Sequence, residues 1–172
     1  MERMPTFTIK YLVDKLIACG LLLLLFPFFV TIALAIIIEG FLVPSSRGAV
    51  LHRETRITAG KPFHLYKFRA LKQAVLDAMG PEDSATFLQF EPENLTVTGA
   101  FLIRFYLDEL PQLVSILIGD MSFVGPRPRI PPVYEKNVTE GFTALAKLRA
   151  GFTGPHQLSK GTDRYTLERS EE

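Results

Sequence analysis

Asp108 and Glu109 are adjacent carboxylates just ahead of Leu110, Leu113, Val114 and Leu117. That i, i+3, i+4, i+7 spacing predicts a short amphipathic helix, closed by Gly119. Pro111 is tolerated only in a first helical turn, so the helix is expected to start close to Asp108. Helix starts carry free N–H groups and partial positive charge, which stabilise carboxylates and attract phosphate. Two carboxylates there can divide labour. One can attack phosphorus, and the other can help hold magnesium, which takes one or two carboxylates plus phosphate oxygens. The plainer reading makes both residues ordinary caps. Adjacency alone does not choose which of the two would attack.

Cations that could meet a phosphate come a few residues later. Arg127 and Arg129 alternate with Pro126 and Pro128, behind Gly125. Proline fixes φ, so both guanidinium forks stand on a stiff backbone and fit phosphate oxygens in two-point contact. A rigid surface turn with solvated arginines is the alternative. Lys67 and Arg69 share one side of an alternating stretch, 64–69, with Tyr66 and Phe68 on the other. They suit phosphate or an anionic headgroup, and a solvated strand face accounts for them equally. Asp120 reads first as a turn cap. His52, His64 and His156 lack metal-ligand spacing, and the sequence holds no P-loop, no GxGxxG and no Gly-x-Ser-x-Gly elbow.

The elements that must carry these groups begin with a membrane segment. Residues 16–38 contain no charge and are bounded by Lys15 and Glu39, a run of 23 residues where about 20 suffice to cross a bilayer. A cleavable signal peptide fits poorly, because Ile36, Ile37 and Ile38 continue the run past the small residues Ala33 and Ala35. A spanning helix and a re-entrant helix remain. Pro27 favours a bend. Basic residues flank both ends, Lys10 and Lys15 before and Arg47, Arg53, Arg56 and Lys61 after, and positive residues tend to stay cytoplasmic. A merely kinked spanning helix is the competing topology.

The rest of the 172 residues reads as one compact domain. The expected division is an anchor over 1–45 and a catalytic domain over 46–172. A formal charge of +1 gives no basic excess for nucleic-acid binding. Cys19 is the only cysteine, which rules out an intrachain disulfide and a multi-cysteine metal site. Pro44, Ser45 and Ser46 mark the exit from lipid. Residues 73–90 read as a helix broken at Gly80 and Pro81, and the polar C-terminal stretch reads as a frayed tail.

The block LDELPQLVSILIGDMSFVGPRP, residues 107–128, closely resembles the bacterial sugar transferases that prime polysaccharide and glycan assembly, the monotopic phosphoglycosyl transferases. The similarity extends to Lys10, Asp14, Pro27, the run Tyr66-Lys67-Phe68-Arg69, Gly99, the run Gly151-Phe152-Thr153-Gly154, and Gln157. It implies a mostly α fold with a small β element, in which a re-entrant helix bent at Pro27 anchors a cytoplasmic catalytic domain with interfacial amphipathic helices to the bacterial inner membrane. It implies that Asp108 attacks the sugar-bearing phosphate of a UDP-sugar, expels UMP, and passes the phosphosugar to undecaprenyl phosphate. Glu109 would work with Mg2+, Arg127 would contact phosphate, and Arg129, Lys67, Arg69 and Arg104 join it as binding candidates. The implied partners are the UDP-sugar, the polyprenyl phosphate and the bilayer, with further copies of the chain an open option and nucleic acid excluded.

Four departures from the family pattern stand out. Ile103 occupies a position where relatives often carry arginine, with Arg104 next to it. Tyr106 replaces a common serine, Ala150 a common proline, and Ser159-Lys160-Gly161 a common Asn-Gly-Arg. The chain also ends soon after Arg164, where relatives often continue. These features sustain a rival reading, a catalytically idle relative acting as a membrane-bound scaffold. Asp108, Glu109 and Arg127 together favour the enzyme.

Overall fold

The computed structural model describes residues 8–80 and 85–154; Pro81, His156, Gln157 and residues 159–164 lie outside them. Helix α1, Thr8–Leu42, runs without interruption through Pro27, so the helix break expected at that proline is not formed. Thr31 Oγ1 donates to the Pro27 carbonyl at 2.9 Å. At about 1.5 Å per residue α1 is about 50 Å long. It is long and apolar enough to cross a membrane.

Spacing divides α1 into two faces. Asp14, Ala18, Ile32 and Ile36 are buried, and Leu21, Leu25 and Phe29 pack beside them, recurring every three or four residues along one side. The opposite side leaves Leu16, Leu23, Leu24, Phe26, Leu34 and Phe41 uncovered, with Leu23 and Leu24 each 74% exposed. A continuous apolar face of this size marks a membrane element. The covered side holds α1 against the domain from end to end. Near its start Lys10 Nζ donates to Val124 O at 2.8 Å and Ser122 Oγ to Asp14 Oδ2 at 2.6 Å. Near its finish the Glu39 carboxylate accepts from Val97 N at 2.8 Å and Thr98 N at 2.7 Å.

Strands β1, Leu51–Thr58, and β2, Lys61–Phe68, form an antiparallel hairpin in which His52 faces Lys67, Glu54 faces Leu65 and Arg56 faces Phe63. Only β2 carries the alternation that announces a strand. The inward face holds Glu54, Arg56, Thr58, Phe63, Leu65 and Lys67, all buried, so charges as well as apolar groups face the core. Two short helices come next, α2 at Gln73–Asp77 and α3 at Ala85–Leu88, in place of the longer broken helix expected over 73–90. Helix α4, Val97–Arg104, is capped by Thr96, whose side chain accepts from Gly99 N. Helix α5, Gln112–Ile118, ends at Gly119 with φ 102°, the left-handed close that the sequence predicts.

Past α5 the chain forms β3, Met121–Val124, then α6, Pro131–Thr139, α7, Ala144–Lys147, and β4, Ala150–Thr153. Strands β3 and β4 pair in parallel. Two apolar clusters hold the layers together. Ala18 of α1 joins Ile57, Phe63, Leu65, Leu113, Ile116 and Met121, while Ile32 and Ile36 join Phe68 and Leu102. Phe29 packs on Phe68 with ring centroids 5.5 Å apart, a tilted pair contributing about 1 kcal/mol beyond its buried area.

Candidate active site

Asp108 and Glu109 lie in a one-turn 3-10 helix, Leu107–Glu109, between α4 and α5. The amphipathic helix expected to begin at Asp108 instead begins after Pro111, which holds its N-cap position. Leu107 and Leu110, three apart on this turn, pack against the Ile32–Ile36–Phe68–Leu102 cluster. With those two leucines fixed to the core, the carboxylates between them are carried toward β2. Tyr106 leads into the turn at φ 57°, ψ 23°. A bulky residue rarely adopts that left-handed region, and it reverses the chain immediately before the acidic pair.

The carboxylates meet Lys67. Its Nζ lies 3.1 Å from Glu109 Oε1 and 3.9 Å from Asp108 Oδ2. Asp108 is 4% exposed and Lys67 is 6% exposed, whereas the Glu109 side chain keeps 28% of its surface. A buried ammonium beside two carboxylates is an electrostatic unit, because an unpaired charge at such depth is costly. A small cleft lined by His52, Lys67, Phe68, Leu76 and Gln89 shares Lys67 with this cluster, but Asp108 and Glu109 do not line it. Among the described residues no three His, Cys, Asp or Glu side chains gather into an all-protein metal cage. The hard oxygen donors of Asp108 and Glu109 nonetheless suit magnesium, which completes its shell with water and substrate phosphate oxygens.

The other sequence-derived candidates divide. Arg127 and Arg129 are half-buried in the segment 125–129. Its backbone is held on one side by Gly125 N to Thr153 O at 3.0 Å and Gly151 N to Pro126 O at 2.8 Å. A Cβ on Gly151 would stand 2.2 Å from Gly125 N, so the two glycines make this approach sterically possible. Arg69 is not aimed at a ligand. It is 1% exposed, and its Nε, Nη1 and Nη2 donate to the carbonyls of Ala49, Leu71 and Ser46 at 2.6, 3.0 and 2.6 Å. A guanidinium so placed ties backbone segments together. Arg104 is exposed at the end of α4, with its guanidinium carbon 5.8 Å from the Phe105 ring centre. Asp120 accepts at its carbonyl from Thr58 Oγ1 at 2.5 Å and closes the α5 turn through its N–H to Ser115 O at 2.9 Å, as a turn residue does.

Glu54 and Arg56 carry no motif, yet they form a second buried charge cluster on β1. Arg56 Nε donates to Glu54 Oε2 at 2.9 Å, and Arg56 Nη2 also donates to Glu54 Oε2. Ala85 N donates to Glu54 Oε1 at 3.0 Å, and His52 Nε2 lies 3.3 Å from the same oxygen. Burial opposes ionisation of Glu54. The His52 hydrogen bond, the charge and hydrogen bonds of Arg56, and the charge of Lys67 outweigh it and lower its pKa to about 2. Alternating acidic and basic residues at 54 and 56 are the only sequence signal, and solvated strands share it.

The bacterial sugar transferase family model matches residues 5–171, and the chain belongs to that family. It is 37% identical over 149 residues to the UDP-glucose:undecaprenyl-phosphate glucose-1-phosphate transferase of Escherichia coli strain K12, covering 85% of this chain and 30% of that protein. It is 32% identical over 163 residues to the exopolysaccharide production protein PSS of Rhizobium leguminosarum bv. phaseoli, covering 86% of this chain and 76% of the relative. It is 33% identical over 133 residues to the galactosyl transferase CpsE of Streptococcus agalactiae, covering 72% and 29% respectively. The chain thus spans less than a third of the Escherichia coli and Streptococcus relatives and about three quarters of the Rhizobium protein.

Proposed function

We propose that this chain transfers a sugar 1-phosphate from a UDP-sugar to a polyprenyl phosphate at the cytoplasmic face of a bacterial inner membrane. The observation that carries the proposal is the Lys67–Asp108–Glu109 cluster, a buried carboxylate held beside a cation within the region that the family model matches. An Asp108 oxygen attacks the phosphorus that bears the sugar. The pyrophosphate P–O bond breaks, UMP leaves with that oxygen, and an aspartyl phosphosugar forms. An oxygen of the polyprenyl phosphate then attacks the same phosphorus. The Asp108 carboxylate is released, and the lipid carries a diphosphate-linked sugar.

Asp108 and Glu109 would hold magnesium, which when bound supplies charge neutralisation for the phosphate oxygens. Lys67 keeps the pair oriented, and its ammonium draws phosphate toward the turn. Arg127, on a backbone stiffened by two prolines, serves as the forked phosphate contact. The attachment of both ends of α1 to the same domain supports a re-entrant arrangement. A helix that crossed the bilayer alone would carry its two ends to opposite surfaces.

The test is the donor half-reaction. Incubated with a UDP-sugar and magnesium but no lipid acceptor, the protein should release UMP up to one equivalent and gain the mass of a phosphosugar. Asp108→Asn should abolish both signals, because a neutral amide is a poor nucleophile toward phosphorus. UMP release that requires both substrates, with no adduct, would refute the two-step route. An adduct mapped to Glu109 would reverse the carboxylate roles.

A further inference from the structure

The segment 125–129 has few ways to be fixed, since Pro126 and Pro128 have no N–H. Its β4 side is held through Gly125 and Pro126. Strand β1 holds its other side: Ile57 N donates to Arg129 O at 2.9 Å, and Arg56 Nη1 reaches Pro128 O at 3.5 Å. The attachments bracket Arg127 from both directions. Arg56 is suited to this because a guanidinium fork serves two acceptors at once. Its Nε and Nη2 are committed to Glu54, whose other oxygen is itself fixed by Ala85 N, so Nη1 faces the loop from a rigid base.

A buried ion pair is not in itself a gain in stability, because desolvation offsets most of the attraction. The Glu54 and Arg56 side chains are each 8% exposed. We infer that Arg56, locked by Glu54, is a positioning residue that sets the backbone of Pro128 and so aims the Arg127 side chain. The inference rests on the reading of Arg127 as the phosphate-binding arm.

Coupling between the two arginines tests it. Arg56→Lys keeps a charge opposite Glu54, but one ammonium lacks the fork that serves both Glu54 and Pro128. The single variants Arg56→Lys and Arg127→Ala and their combination are compared for UMP release from a UDP-sugar and for thermal unfolding. Arg56→Lys should remain folded and lose about tenfold in kcat/KM, below the hundredfold that a misplacement of about 1 Å can cost. In the Arg127→Ala background it should cost nothing further, because the group it aims is gone. Backbone amides of 127 and 129 should exchange faster with deuterium in Arg56→Lys.

Losses that multiply in the combined variant, or an Arg56→Lys protein with unchanged kinetics, would overturn the positioning role alone. Full activity in Arg127→Ala would overturn the arm reading, and the positioning role with it. If Arg56→Lys does not fold, the neutral pair Glu54→Gln with Arg56→Gln leaves no buried charge unpaired, and the same expectations apply to it.

Discussion

Replacing Lys67 by methionine keeps the unbranched stem of the side chain and removes its charge. At an effective dielectric constant of about 20, the gross attractions at 3.1 Å and 3.9 Å are about 5 and 4 kcal/mol. Desolvation of the ammonium cancels much of this. Breaking a buried pair by removing one partner costs about 3–5 kcal/mol. The lower end applies, since water reaches Glu109 and screens it. About 3 kcal/mol corresponds to a fall in Tm of about 6–12 °C for a domain of this size. Single-turnover UMP release should slow about a hundredfold, the scale of losing one aimed electrostatic group. Adding Asp108→Asn should recover part of the lost Tm while leaving the protein inactive, because the penalty is two carboxylates left without a cation. A Tm within about 1 °C of wild type in Lys67→Met, with no recovery in the combined variant, would refute the reasoning and show that the two carboxylates do not depend on the Lys67 charge.

Arg127→Lys keeps the charge and loses the fork, so kcat/KM should fall at least about tenfold, about 1.4 kcal/mol of transition-state stabilisation; unchanged kinetics would reduce Arg127 to a surface charge. Glu54, with its pKa lowered to about 2, contributes stability that is fully present above its unfolded value near 4.5 and is lost as pH falls from there through about 2. A shift of that size is worth about 3 kcal/mol, so Glu54→Gln should flatten the acid limb of unfolding free energy against pH, and an identical limb in both proteins would place the acid sensitivity elsewhere. For topology, single cysteines at Lys10 and Arg47, in a background where exposed Cys19 is serine, should both escape an impermeant thiol reagent applied to intact cells. Labelling of either one from outside would restore a spanning helix.

The sequence makes the acidic turn legible because its leucines repeat at helical spacing and Pro111 and Gly119 bound α5. Even so, the helix begins four residues later than Asp108, since a 3-10 turn can carry the same leucine spacing. Strand β1 is illegible for a physical reason. Its inward positions are His52, Glu54, Arg56 and Thr58, polar where alternation would require apolar groups; Glu54 pairs with His52 and Arg56, and the Thr58 hydroxyl donates to Asp120 O and accepts from Ala150 N. The same ambiguity misplaces Arg69, whose charge suggests a ligand although its nitrogens tie backbone carbonyls. Strands β3 and β4 are four residues each and pair in parallel across two intervening helices. Pairing between distant segments leaves no local periodicity to read.

The membrane helix also shapes the site. Glu39, near the end of α1, accepts the first two N–H groups of α4, which favour a negative charge there. Helix α4 then delivers the chain to Tyr106 and the acidic turn, whose Leu107 and Leu110 rest on Ile32 and Ile36 of α1. At the other end, Asp14 binds Ser122 of β3, the strand that leads directly into Gly125 and the arginine loop. One helix therefore supports both the acidic turn and the arginine loop, each from a different end.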